Sequence, residues 1–201
     1  MAASIRFASV FEPVNNASKL DHHDFTADVV RALTLYCFAE FQLGHATTIC
    51  VTAAENSFTV ADDGRGHAIN RTVDGAAYLK FIYTHFEYPF ATGHNAPVQL
   101  QGIGMSLINA LCSELVVTVR KQTLRLEVSF QNGRASGHEL INVTSDGTGI
   151  AISGTVSAQV QRQAVEVQAL QRWLQQLLSG SPSLKLFFNG DQLQALPQSN
   201  G

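Results

Sequence analysis

Between about Asp24 and Leu43 apolar residues recur at Phe25, Val29, Ala32, Leu33, Tyr36, Cys37 and Phe41. This spacing predicts one long amphipathic helix, with Gly44 as its C-cap. Thr47–Thr52 and Ser57–Ala61 then read as two strands around a tight turn at Ala54-Glu55-Asn56. Residues 72–86 read as helical. Residues 87–101 carry Pro89, Gly93, His94, Asn95 and Pro97 and read as a long loop, of the length that often serves as a lid. A helix over 104–113 precedes four strands, Leu115–Arg120, Thr123–Gln131, Glu139–Thr144 and Gly149–Thr155. Asn132-Gly133 is a turn signal between the second and third of them. Residues 158–178 place Val160, Ala164, Val167, Leu170, Leu174 and Leu177 on one face of a helix that covers a sheet. Gly180 and Pro182 end it, Ser183–Asn189 is a last strand, and Gly190-Asp191 begins a turn.

Helices alternating with hairpin-connected strands predict an α+β fold: a two-layer sandwich, its mixed, mostly antiparallel sheet covered on one face by helices. One domain is expected over residues 20–196, between an N-terminal arm (1–19) and a frayed tail (197–201).

Composition narrows the classes. Hydrophobic residues make up 45% of the 201 positions and charged residues 14%, which suits a chain with a real core and argues against a disordered one. The net charge is −3 with no basic block, so direct DNA binding is not expected. Residues 1–20 lack the pattern of a secretory signal and no apolar run reaches the length of a membrane helix, so a cytoplasmic protein is expected. Cys37, Cys50 and Cys112 have neither metal nor redox spacing and read as buried free thiols.

Two glycine-rich turns carry the candidate chemistry. Asp62-Asp63-Gly64-Arg65-Gly66 follows a strand-like run, and Gln101-Gly102-Ile103-Gly104-Met105-Ser106 opens a helix-like one. Glycines let backbone approach a ligand, and a turn opening a helix offers free N–H groups to phosphate. Together they suggest a nucleotide pocket with a carboxylate on one wall. Read singly, each is also compatible with a plain polar or packing turn; their order and separation in one chain carry the nucleotide reading. His22-His23-Asp24 has no partner triplet for a metal site.

The order of helix, two strands, Asp62-Asp63-Gly64-Arg65-Gly66, lid-like loop, Gly102-Ile103-Gly104 and Asp146-Gly147-Thr148-Gly149 resembles the N-terminal ATP-binding domain of gyrase B and its topoisomerase IV counterpart, of the GHKL (Bergerat-type) class. Ile108-Asn109-Ala110-Leu111-Cys112-Ser113 is similar to the topoisomerase branch. The resemblance implies that Asp62 accepts a hydrogen bond from the adenine amino group, that Gly64 and Gly66 let the base lie against the backbone, and that Arg65 borders the pocket. It implies that Thr148 supports the adenine-binding carboxylate and that Gly102, Ile103 and Gly104 hold phosphates.

The departures concern catalysis. The family carries a general-base Glu and, four residues later, a Mg²⁺-ligating Asn on its first helix; the ungapped register puts Ala32 and Tyr36 there. A second register offers Asp28 as the acid, by inserting one extra helical turn, with Ala32 at the metal position. Val98-Gln99-Leu100-Gln101 stands where the family has further glycines and a basic residue, leaving His85 and His94 as the cation-capable side chains there. The expectation is an adenine-nucleotide (ATP or ADP) binding domain with hydrolysis weak or lost; Mg²⁺ is implied by the resemblance, yet its usual protein ligand is missing. The alternative is a pseudo-ATPase interaction or regulatory module, acting on a topoisomerase or as a homodimer. No membrane partner is expected.

Overall fold

The computed structural model describes residues 23–73, 75–85, 104–144 and 147–196. The loop read at 87–101, the turn residues Gly102 and Ile103, the N-terminal arm and the tail lie outside these residues. Helix α1 spans Phe25–Gln42. Asp24 caps it, its Oδ1 accepting the Ala27 N–H at 2.9 Å, which satisfies one of the unpaired first-turn donors. Gly44 ends it with φ +76°, the left-handed conformation expected of the residue past a helix C-terminus. The buried face is wider than the predicted stripe: it takes in Thr26, Ala27, Val30 and Thr34 beside Val29, Ala32, Leu33 and Cys37.

The remaining elements are β1 (Thr48–Ala54), β2 (Ser57–Asp62), β3 (Thr72–Val73), β4 (Ala76–Ala77), α2 (Tyr78–Thr84), α3 (Met105–Leu111), β5 (Cys112–Lys121), β6 (Leu124–Gln131), β7 (Arg134–Asn142), β8 (Thr148–Val156), α4 (Val167–Ser179), β9 (Lys185–Phe188) and β10 (Asp191–Gln192). Eight strands form one sheet in the order β10-β9-β1-β2-β8-β5-β6-β7, while β3 and β4 pair separately. The β1–β9 pair is parallel and the other pairs are antiparallel, so the sheet is mixed and mostly antiparallel. Helix α1 packs on β1, β2 and β8, α3 on β5, and α4 on β9. Alternation sends Ile49, Val51, Phe58, Val60, Val117, Val119, Ile150 and Ile152 into the core beneath them. The other face is polar and small, with Thr59 Oγ1 and Ser153 Oγ bonded across strands at 2.9 Å. This is the α+β two-layer sandwich that the patterning predicts.

Several boundaries differ from the sequence reading. The helix expected over 158–178 begins only at Val167. The preceding segment commits its polar groups to other elements: buried Gln161 accepts the Thr26 N–H at 3.2 Å and donates to Gln163 O at 2.6 Å, and the Glu166 and Val165 N–H groups donate to Asp24 Oδ2 and Glu55 O. Gln161→Ala is therefore expected to cost about 1–3 kcal/mol in denaturant unfolding, because it leaves the Thr26 amide buried and unpaired. An unchanged midpoint would show that this link carries no stability.

The region 72–86 is a two-strand hairpin turning through Gly75 (φ +79°) before α2, rather than one helix. The helix expected to reach residue 113 stops at Leu111, and the strand expected at Glu139–Thr144 runs from Arg134 to Asn142. The last turn sits at Asn189-Gly190, both with positive φ, and Asp191 already belongs to a strand. Cys37 and Cys112 are buried, but Cys50 lies on the open face of β1 and is exposed. Among the described residues no helix is long and apolar enough to cross a membrane.

Candidate functional site

Strand β2 points Phe58, Val60 and Asp62 inward, so the row that fills the core ends in a carboxylate. Asp62 is 3% exposed. Its Oδ1 accepts the Gly64 N–H at 2.8 Å, while Oδ2 is buried without a hydrogen-bond partner. Burial raises the Asp62 pKa above the ordinary carboxylate value; the Cys37 thiol and the Gly64 N–H pull it back in part. The thiol faces the carboxyl as a weak donor, and burial, with the nearby Asp62 carboxylate, pushes its own pKa well up. A buried carboxylate oxygen whose nearest side-chain donor is a weak thiol is costly unless a ligand supplies a stronger one.

The backbone around Asp62 is held by close approaches. Gly149 (φ +131°) lies so near that a Cβ there would stand 2.1 Å from Asp62 O, and a Cβ on Gly66 (φ +63°) would stand 2.5 Å from Gly149 O. These two glycines are thus needed for the protein to pack against itself, a demand separate from the room for a base that the resemblance implies at Gly66. Gly64 is less constrained, its Cβ meeting Asp62 Oδ1 at 3.0 Å. Arg120 Nη2 donates to Asp62 O at 3.0 Å, and Lys121 Nζ donates to the Arg65 and Gly66 carbonyls, strapping the turn to β5. Asp63 turns the other way and accepts the Thr47 and Thr48 N–H groups at 2.7 and 2.9 Å, so it ties β2 to the start of β1.

Arg65 makes a two-point ion pair with Glu40 of α1, Nη2–Oε1 at 2.8 Å and Nε–Oε2 at 3.1 Å. The Arg65 hydrogen bonds hold the Glu40 carboxyl below its ordinary pKa. The Thr148 hydroxyl is directed to Asp63 O at 3.4 Å, and the residue opposite Asp62 on β8 is Ile150. Thr148 therefore stands diagonal to Asp62 and makes no hydrogen bond to its carboxyl. Gly104 is the N-cap of α3; Gly102 and Ile103 lie outside the described residues. Asp28 sits in the first turn of α1 between His23 (Nε2–Oδ2 2.6 Å) and Arg31 (Nη1–Oδ1 3.3 Å), engaged by two partners at the far end of the helix from Glu40.

Sequence reasoning passed over His67. It is 7% exposed, and its Nδ1 is 3.1 Å from the Tyr36 hydroxyl, while Nε2 is buried without a partner. Tyr78 and Tyr83 present their rings edge-on to it, with centroids 6.3 and 6.2 Å away. Burial, with a smaller push from Lys121, lowers its pKa from 6.5 to about 4. The imidazole is thus neutral in the folded domain and charges on unfolding below the ordinary value. Its contribution to stability is complete above pH 6.5 and is lost as the pH falls toward about 4. His67→Leu is expected to flatten the acid limb of stability against pH in that window; an unaltered limb would refute the assignment. The opposite tilt from Asp62 is common to both proteins and cancels.

The positions where the resemblance places a base and a metal ligand hold Ala32, which is 2% exposed and offers no donor atom, and Tyr36. Burial pushes the Tyr36 phenol far above its ordinary pKa, so it stays protonated, and its oxygen is engaged by His67. Mg²⁺ requires several hard oxygens in octahedral array. With Glu40 committed to Arg65 and Asp28 to His23 and Arg31, the side chains of α1 do not fit that ion.

No family model matches the chain. It is 32% identical over 127 residues to the B subunit of DNA topoisomerase 4 from Mycoplasma pneumoniae, covering 58% of this chain and 20% of that protein. It is 34% identical over 112 residues to the B subunit of DNA gyrase from Micrococcus luteus, covering 53% and 16% respectively. The chain thus spans a fifth or less of the length of these curated relatives. Among solved structures, it superposes on the topoisomerase IV ATP-binding domain of Francisella tularensis, in complex with a small-molecule inhibitor, with a TM-score of 0.71 and 21% identity over 90% of this chain and 92% of that one. The 43K ATPase domain of Thermus thermophilus gyrase B, in complex with an aminocoumarin, gives a TM-score of 0.66 over 82% and 44%. In sequence over about half its length and in fold over most of it, the chain resembles the GHKL ATP-binding domain of gyrase B and topoisomerase IV.

Proposed function

We propose that this domain binds an adenine nucleotide, ATP or ADP, at the end of β2, with hydrolysis weak or lost. The observation that carries the reading is the Asp62 carboxylate, buried with one oxygen unpartnered and its backbone held on three sides. The adenine amino group is a donor of the kind that oxygen lacks, and a fixed acceptor rejects bases that present an acceptor there. Weak hydrolysis follows from Ala32, since a methyl group cannot polarise water, and the loss of a general base typically costs about 10²–10⁴-fold in rate. Titration calorimetry with ADP and with a non-hydrolysable ATP analogue tests the reading. Saturable heat with both supports it, and no binding of either overturns it.

The same substitutions favour a second reading, a pseudo-ATPase interaction module acting on a topoisomerase or pairing with a second copy of itself. That reading gains ground if the nucleotide-free protein forms a stoichiometric complex whose affinity ADP leaves unchanged.

A further inference from the structure

The clearest mismatch between this site and the chemistry its fold implies lies at Tyr36 and His67. Along α1, Ala32 and Tyr36 are one turn apart and share a face. Tyr36 delivers its hydroxyl to His67 Nδ1 at 3.1 Å, and the two rings are 5.3 Å apart. The pair is packed among Tyr78 and Tyr83. Every carboxylate that α1 contributes beyond its N-cap is already engaged: Asp28 by His23 and Arg31, Glu40 by Arg65. Among the described residues no cluster of three His, Cys, Asp or Glu side chains is arranged to hold a metal ion. What stands near Asp62 on this side is an aromatic pair, Tyr36 and His67, that burial keeps uncharged.

We infer that this site takes its adenine nucleotide free of divalent metal, and that the Tyr36–His67 pair is the feature that sets this preference. The inference rests on the adenine-nucleotide reading of Asp62 and adds to it the form of the ligand. A protein site that contributes an oxygen to Mg²⁺ binds the metal–nucleotide complex more tightly than the bare nucleotide. A site that contributes only a phenol already bonded to an imidazole gains nothing from the metal. It must also displace that hydrogen bond to use the phenol oxygen at all.

The test is ADP calorimetry on the intact protein, once with excess MgCl₂ and once with EDTA, on wild type, Tyr36→Phe and Tyr36→Asn, each checked for folding by circular dichroism. Wild type and Tyr36→Phe are expected to give dissociation constants that agree within about twofold in the two buffers, a difference well under 1 kcal/mol. Tyr36→Asn, which supplies a free amide oxygen, is expected to bind ADP at least about fivefold more tightly with Mg²⁺ than with EDTA. Wild-type binding strengthened about tenfold or more by Mg²⁺ overturns the inference and leaves the adenine reading standing. A folded Tyr36→Asn that remains indifferent to the metal overturns the part assigned to Tyr36. No binding by wild type in either buffer overturns the adenine reading, and this inference with it.

Discussion

Gly149→Ala is expected to destabilise the domain by about 4 kcal/mol or more, and to lower its melting temperature by roughly 10 °C for a chain of this size. A methyl group there would sit 2.1 Å from Asp62 O and 3.0 Å from Arg120 Nη2. The arginine can move; the Asp62 carbonyl belongs to β2, whose register with β8 runs from Ser57 to Asp62 without a break. Relief requires β2 and β8 to part at their end, which also releases the carboxylate that β2 positions. The substitution adds strain from φ +131°, a conformation L residues rarely adopt. Gly147→Ala separates the two contributions, because Gly147 has φ +67° and open space around its Cβ position. It is expected to cost only about 1–2 kcal/mol. Equal losses for the two variants in urea unfolding would show that the close approach of β8 to Asp62 is unimportant.

Asp62→Asn is expected to weaken ADP binding at least about 100-fold, near 2.7 kcal/mol, and to leave the fold intact. The direction follows from a constraint within the residue. Oδ1 accepts the Gly64 N–H at 2.8 Å, so the amide oxygen of asparagine takes that position and its NH₂ group replaces Oδ2. A donor then faces the adenine amino group, itself a donor. Stability is expected to hold or rise. Because burial raises the Asp62 pKa above its free value, ionisation opposes folding as the pH climbs through that pKa, and an uncharged amide removes the opposition. Weaker binding with an equal or higher melting temperature is the expected pair of results. Retained affinity would dismiss Asp62 as the base-reading group.

What the sequence discloses here follows from how local each determinant is. The first helix, the β1–β2 hairpin and the Asn132-Gly133 turn are written in short-range patterns, and they stand where the patterns place them. The spacing of Val160 and Ala164 also fits a helix, but Gln161 and Glu166 bond to Asp24 and Thr26 at the opposite end of the chain, and no local period can report that. The carboxylate at the end of β2 is legible because strand alternation and the glycine turn agree at Asp62. His67 is not, because its neighbours Tyr36, Tyr78 and Tyr83 come from two helices and carry no shared motif. Thr148 illustrates a third kind of gap: it shares a face of β8 with Ile150, the residue opposite Asp62, but it stands two positions along the strand and its hydroxyl goes to the Asp63 carbonyl, an offset that a motif alone does not report.

The position of β8 bears on how the domain assembles during synthesis. It lies between β2 and β5, so the sheet consists of an early hairpin, β1–β2, and a meander, β5–β6–β7, joined only when β8 enters. Until then β2 and β5 each leave an open strand edge with an apolar inner row, a state prone to pairing with other chains. β8 closes both at once, meeting β2 from Ser57 to Asp62 and β5 from Cys112 to Lys121. Contacts of such long sequence separation form slowly. Gly149, at the leading end of β8, is also the residue that seats against the Asp62 backbone. The Asp62 carboxylate thus acquires its final setting in the same late step that seals the sheet, and a chain released before β8 emerges presents an open edge at β2 in its place.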